Sequence, residues 1–237
     1  MFPLALLNAS SPSSPPSPHD PSLTLVLLHF TGADGSTTFT DSSPIPYTLT
    51  NNGAQISNFE ISSGFGSSGL FDNSGSFPYR YIETAAAPDL KNTDFTIEAS
   101  IYPTALNFSM SEIIGTQRPN GDLCYALSIS ASNDLVADFF GSYITHQTTV
   151  TLNTVHHVAL VRSGDTFALY LDGIKSTTTQ TVTQFIIDTY NPSTTLKVGV
   201  GRGGSDSFYT GYIDEFRIRK DAMYLADFTP PTAPFTY

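Results

Sequence analysis

Residues 156–173 read HHVALVRSGDTFALYLDG. From Thr154 to Arg162 the chain is apolar on both faces, with Val155, Ala159 and Val161 alternating against Val158 and Leu160. A strand apolar on both sides is covered on both sides, so an inner strand is predicted here. Phe167-Ala168-Leu169-Tyr170-Leu171 then runs into Asp172-Gly173. An Asp-Gly pair turns a hairpin because the tightest strand connections need positive φ at both central residues.

The same period extends outward in both directions. Phe95, Ile97, Ala99 and Ile101 alternate with Thr96, Glu98, Ser100 and Tyr102, which predicts a strand with one buried face. Leu123, Tyr125, Leu127 and Ile129 repeat the pattern, as do Leu135, Ala137 and Phe139. Leu25 to Phe30, Thr195 to Val200 and Phe208 to Ile218 are further strand candidates. Turn clusters separate them, and no segment carries a ten-residue helical stripe. Many short strands at this spacing predict an all-β sandwich or barrel.

Composition narrows the function classes. Charged residues are 13% of the 237, about half the usual share, and 28 Ser with 30 Thr take their place. A net charge of −11 disfavours nucleic acid and anionic membranes, which call for basic patches. No apolar run approaches the ~20 residues of a membrane helix, so no membrane insertion is expected. Cys124 is the only cysteine and reads as a small buried thiol.

The two ends differ from the middle. Residues 1–22 form a Ser/Pro-rich arm (SSPSSPPSPHDPS at 10–22), too polar to fold alone and biased to polyproline II. Phe2, Leu4, Leu6 and Leu7 are its apolar anchors for docking on a partner. The start lacks the positive region of a secretion signal, and none is expected. Residues 23–226 are the globular domain. Residues 227–237 form a Pro-rich tail, expected to wrap the sheet edge.

Taken in order, LLHFTGADGSTTFTDSS at 27–43, DFTIEASIYP at 94–103, HHVALVRSGDTFALYLDG at 156–173, GYIDEFRI at 211–218 and ADFTPPTAPF at 226–235 carry a resemblance. The chain resembles the laminin G-like, concanavalin A-like jelly rolls of tailed-phage virion proteins. The resemblance implies a two-sheet antiparallel jelly roll on the virion surface, as a tail fibre or baseplate component or a head decoration protein. Its partners would be other virion proteins, further copies of itself in a homo-oligomer, and a host surface glycan. Related jelly rolls hold Ca²⁺ with an Asp after LLHF and the Asp of the IDE motif. Here Thr31 occupies the first position, so Asp214 would need Asp34 or Asp41 as companion.

Catalysis is thinly supplied, and no enzyme is expected. Glycoside cleavage needs two carboxylates flanking one bond. Glu98 stands alone on its strand, and adjacent Asp214 and Glu215 would face opposite sides. His156 and His157 would likewise diverge, which favours packed or turn-bonded rings over a shared metal. Two G-x-G-x-x-G matches, at 64–69 and 199–204, lack the following helix a dinucleotide site requires. The second is a loop where Arg202, Asp206 and Tyr209, with Arg118 nearby, are the candidate glycan contacts. The absence of Trp removes the commonest sugar-stacking ring. The expectation is therefore a virion structural protein, with a glycan-binding adhesin as alternative and a glycan hydrolase as the remote one.

Overall fold

The computed structural model describes residues 20–75, 78–90, 93–106, 109–117, 123–139, 142–181, 194–201 and 207–237. The docking anchors Phe2, Leu4, Leu6 and Leu7 lie outside them, as do Arg118, Arg202 and Asp206. In chain order the strands are β1 (Thr24–Leu28), β2 (Leu49–Asn52), β3 (Gln55–Ser57), β4 (Ser68–Phe71), β5 (Tyr81–Thr84), β6 (Phe95–Ala105), β7 (Met110–Gln117) and β8 (Leu123–Ser130). They continue with β9 (Asp134–Phe139), β10 (Ser142–Thr149), β11 (His156–Ser163), β12 (Thr166–Leu171), β13 (Ile174–Lys175), β14 (Gln180–Thr181), β15 (Thr195–Val198) and β16 (Thr210–Arg219). A single 3₁₀ turn, Pro21–Leu23, is the one helical element among the described residues.

The strands form two antiparallel sheets. One runs β13-β12-β11-β6-β16-β4-β3, with β1 also on β16 and β14 also on β12. The other runs β10-β9-β8-β7-β15-β5-β2. Their inner faces bury one continuous core that includes Phe71, Phe95, Phe139, Phe167, Phe216 and Ile213. This is an all-β sandwich, one of the two forms the strand spacing allowed, and it matches the two-sheet antiparallel jelly roll that the resemblance implied. As predicted, β11 is an inner strand, bonded to β6 on one side and β12 on the other. Asp172 and Gly173 close the β12–β13 hairpin with φ of 52° and 79°.

Two expectations need correction, for one shared reason. Residues 95–102 were predicted to bury one face, yet Thr96, Glu98 and Ser100 on the other face are buried too. The cover is the C-terminal segment, which bonds the edge at β13 and its hairpin through Asp227 and Phe228 but does not stop there and also crosses the outer face of the sheet. The Thr96 hydroxyl donates to Asp221 O and accepts from Met223 N. Tyr224 and Phe228 stack at 3.6 Å and pack on Tyr170 of β12, and Phe235 lies over Arg217 of β16. Prolines suit this strap, which needs few ladder hydrogen bonds but many apolar contacts.

At the start of the domain, Arg219 donates to Thr24 Oγ1 and Lys220 N donates to Leu23 O. The chain therefore enters beside the C-terminal end of β16.

Candidate functional site

The buried polar residues of the strapped face form one network. Glu98 on β6 faces Arg217 on β16, whose Nη2 and Nε donate to Oε1 at 2.6 and 2.9 Å. Tyr224 Oη donates to Oε2 at 2.8 Å, and His157 Nε2 lies 3.1 Å from the same oxygen. Burial alone would raise the Glu98 pKa, but the His157 hydrogen bond and the Arg217 charge hold it at about 2. Glu98 is thus a structural hub rather than a solitary carboxylate. His156 turns away, with Nδ1 2.7 Å from Asp172 Oδ2 and Nε2 accepting from Thr151 N. The two histidines diverge: His156 is bonded through both ring nitrogens, and His157 through Nε2, its buried Nδ1 having no partner among the described residues.

The calcium candidates do not converge on a metal site. In β16 the pairing to β6 jumps from Asp214↔Ser100 to Arg217↔Glu98, a bulge with Glu215 at φ 48°. Asp214 is fully buried, with Oδ1 accepting from Glu215 N and Oδ2 without a partner. Burial pushes its pKa to about 8, so its carboxyl is mostly neutral at pH 7. Asp34 is exposed and accepts from Asn58 N at the β3 edge. Asp41 accepts from the backbone N–H groups of Leu27, Ser43 and Tyr47. Among the described residues no group of three His, Cys, Asp or Glu side chains could hold an ion. Ca²⁺ takes six to eight oxygens, and this donor set does not fit it.

A concavity opens at the other end of β16. It measures about 630 Å³ and is lined by Asn52, Asp72, Tyr79, Arg80, Tyr81, Lys197 and Phe208, among others. That is within the ~300–1,000 Å³ of ligand sites. Asn73 fixes its floor: its side chain accepts from Arg80 N and donates to Arg80 O and Tyr209 O. One amide therefore ties the β4–β5 loop to the start of β16. Tyr79 stacks on Phe208 at 3.4 Å, and Lys197 Nζ sits 5.5 Å from the Tyr81 ring centre. Arg80 faces Asp72 at 3.5 Å, and Lys197 faces Glu83 at 3.8 Å. The hydrogen bond from Ser74, then the charge of Arg80, hold the Asp72 pKa down despite some burial. Burial, then Glu83, raise that of Tyr81, keeping its phenol a donor.

Of the predicted glycan contacts, Tyr209 belongs elsewhere. Its ring is fully buried in the core and its hydroxyl donates to Tyr212 O, so it offers no face to a ligand. The adjacent Phe208 borders the groove but is itself buried beneath Tyr79, so the exposed aromatic surface there belongs to Tyr79 and Tyr81. Tyr79, Arg80, Tyr81 and Lys197 were missed. The signal was present as Tyr-Arg-Tyr leading into β5, two rings at strand spacing around a cation.

A second hollow, of about 140 Å³, is lined by Glu112, Ser128, Asp138, Tyr143 and Ser207. Glu112 on β7 and Asp138 on β9 flank β8 and come together only through sheet pairing. Glu112 lies so close to Gly201 that a Cβ there would overlap its carboxylate.

A family profile described as "Concanavalin A-like lectin/glucanases superfamily" matches residues 74–227. No curated protein sequence matches the chain. Domain 4 of a GH43 extracellular arabinanase from Geobacillus stearothermophilus, solved with arabinotriose, is similar at 15% identity and a TM-score of 0.56. The match covers 78% of this chain and 87% of that one. The binding domain of botulinum neurotoxin DC, solved with SialylT, is similar at 13% identity and a TM-score of 0.58, covering 86% of this chain and 49% of that one. The same binding domain solved with rat synaptotagmin II gives 15%, 0.61, 86% and 50%. The chain spans about half the length of these neurotoxin chains. At such identities the likeness is one of fold.

Proposed function

This chain belongs to the concanavalin A-like lectin/glucanases superfamily, and from that premise we propose that it is a glycan-binding module. The observation that carries the reading is the groove where Tyr81 and Tyr79, the latter backed by the buried Phe208, meet Arg80, Lys197 and Asp72. Aromatic faces with a few fixed polar groups are what a sugar ring needs, since one side is apolar and its rim is hydroxylated. The arabinanase domain was solved with arabinotriose and the neurotoxin domain with SialylT, which supports the reading by analogy of fold alone.

The module is displayed on a phage virion, as tail fibre, baseplate component or head decoration, with residues 1–22 as anchor. The motif resemblance supports this, and so does the placing of the two ends of β16. The groove lies beside Thr210 and the chain enters beside Arg219. Ten strand residues separate them, roughly 30 Å at ~3.3 Å each. The point where the described chain begins and the groove then lie at opposite ends of β16, which suits anchoring at one end and binding at the other.

Binding without cleavage is the preferred chemistry. The Glu112–Asp138 pair is the one observation favouring a hydrolase, but its 140 Å³ hollow is below the ~300 Å³ at which ligand sites begin. Glycan arrays followed by titration calorimetry test the binding. Saturable binding that Tyr81→Ala weakens supports the reading, and absence of binding across the array refutes it. Virions that incorporate a chain lacking residues 1–22 at normal levels would refute the anchor.

A further inference from the structure

We infer that the groove selects a sugar bearing a carboxylate, with Arg80 as the group that reads it. The inference rests on the glycan-binding reading and goes beyond it. It begins from charge. The chain carries −11, yet two cations line this one groove with Asp72 as the carboxylate in its lining, Glu83 standing outside the lining 3.8 Å from Lys197. Among the described residues, Arg162, Arg217 and Arg219 are buried. Only Arg80, Lys175, Lys197 and Lys220 reach solvent, and Lys175 is engaged by Leu225 O. Among the described residues, two of the four solvent-reaching cations thus converge on one concavity. In a protein of net charge −11, that local pairing of cations is where an acidic glycan would be admitted.

The state of Arg80 points the same way. Its contact with Asp72 is a single one at 3.5 Å, with both side chains more than a third exposed. The structural arginines are held quite differently, Arg217 at 2.6 Å from Glu98 and Arg219 at 2.8 Å from Asp221. A loose exposed pair is worth little, so a ligand carboxylate can share or displace it. The backbone of Arg80, by contrast, is clamped on both sides by Asn73. The guanidinium therefore starts from a fixed point, and its planar fork fits a carboxylate through two parallel N–H bonds. Lys197, over the Tyr81 ring, adds a second positive charge beside the stacking face.

The test is calorimetry on matched probes: sialyllactose against lactose, tetragalacturonate against its carboxyl-reduced form, and a 6-sulfated lactose. The expected result is at least tenfold tighter binding of the acidic member of a pair. Arg80→Gln should collapse that ratio to below threefold, while the remote Lys220→Gln leaves it intact, with circular dichroism confirming both folds. Equal binding of acidic and neutral members would overturn the inference while leaving the groove reading in place, provided Tyr81→Ala abolishes both. A preference retained in Arg80→Gln, or tight binding of the sulfated probe alone, would overturn the assignment to Arg80 and carboxylate. No binding by any probe or by any array glycan would overturn both readings together.

Discussion

Arg217 grips a single oxygen of Glu98, with Nη2 at 2.6 Å and Nε at 2.9 Å, between neighbouring strands of the larger sheet. The pair is almost fully excluded from water and lies under the C-terminal strap. Removing one partner of such a pair leaves a buried uncompensated charge, which costs about 3–5 kcal/mol. Glu98→Gln is therefore expected to lower unfolding free energy by that order at pH 7, measured by urea titration. The acid limb follows from the depressed pKa. Glu98 contributes stability above its unfolded value near 4.5, and this is lost as pH falls through about 2. The variant should lack that part of the acid slope.

Asp214 gives the opposite sign. Its folded pKa is raised from 3.8 to about 8, so the folded state holds a proton that the unfolded state has released. Stability is then highest below pH ~4 and falls as pH rises towards 8, by up to a few kcal/mol at ~1.4 kcal/mol per pKa unit. Asp214→Asn mimics the neutral carboxyl and should flatten this limb. The readout is the difference in slope between pH 5 and pH 8, since the amide's own burial shifts both ends equally. An unchanged slope would contradict the assignment.

With the Asp214 carboxyl held neutral, no calcium dependence of stability is expected. Adding millimolar Ca²⁺ or EDTA at pH 7 should leave Tm within about 1 °C, followed by tyrosine fluorescence or circular dichroism. A stabilisation of several degrees by Ca²⁺ would show a donor set that Asp214, Asp34 and Asp41 do not supply.

The C-terminal strap should behave as part of the core. Phe228 stacks on Tyr224, and its backbone N–H donates to Gly173 O. Phe228→Ala should cost about 2 kcal/mol, less than a fully buried Phe because this ring is half-exposed. Gly173→Ala should cost more than 1 kcal/mol, since φ is 79° and a Cβ would overlap Phe228 O. Denaturation midpoints measure both.

Much of the fold was legible because burial writes itself into alternation. The double-sided run before Arg162 announced an inner strand, and Asp172-Gly173 announced its hairpin. The strap was misjudged because prolines signal only where a chain cannot pair, not which face it covers. Glu98 looked solitary because its partners lie 59, 119 and 126 residues away. Glu112 and Asp138 escaped notice for the same reason, brought together only by sheet pairing. The groove was half legible. Arg202 and Asp206 of the Gly-rich loop lie outside the described residues, and Tyr209 turns into the core because alternation fails beside a register break. Tyr79-Arg80-Tyr81 carried the pattern without the turn context that would have marked it as a site.

The central claim, that the groove at Tyr81 binds glycan, is tested most directly by calorimetry of the intact chain and its Tyr81→Ala variant. The titrant is the strongest glycan from an array. Loss of a central aromatic contact commonly costs about 2 kcal/mol or more, so a fall in affinity of at least tenfold is expected, with Tm little changed. Binding equal to that of the unaltered chain, in a folded variant, would contradict the claim.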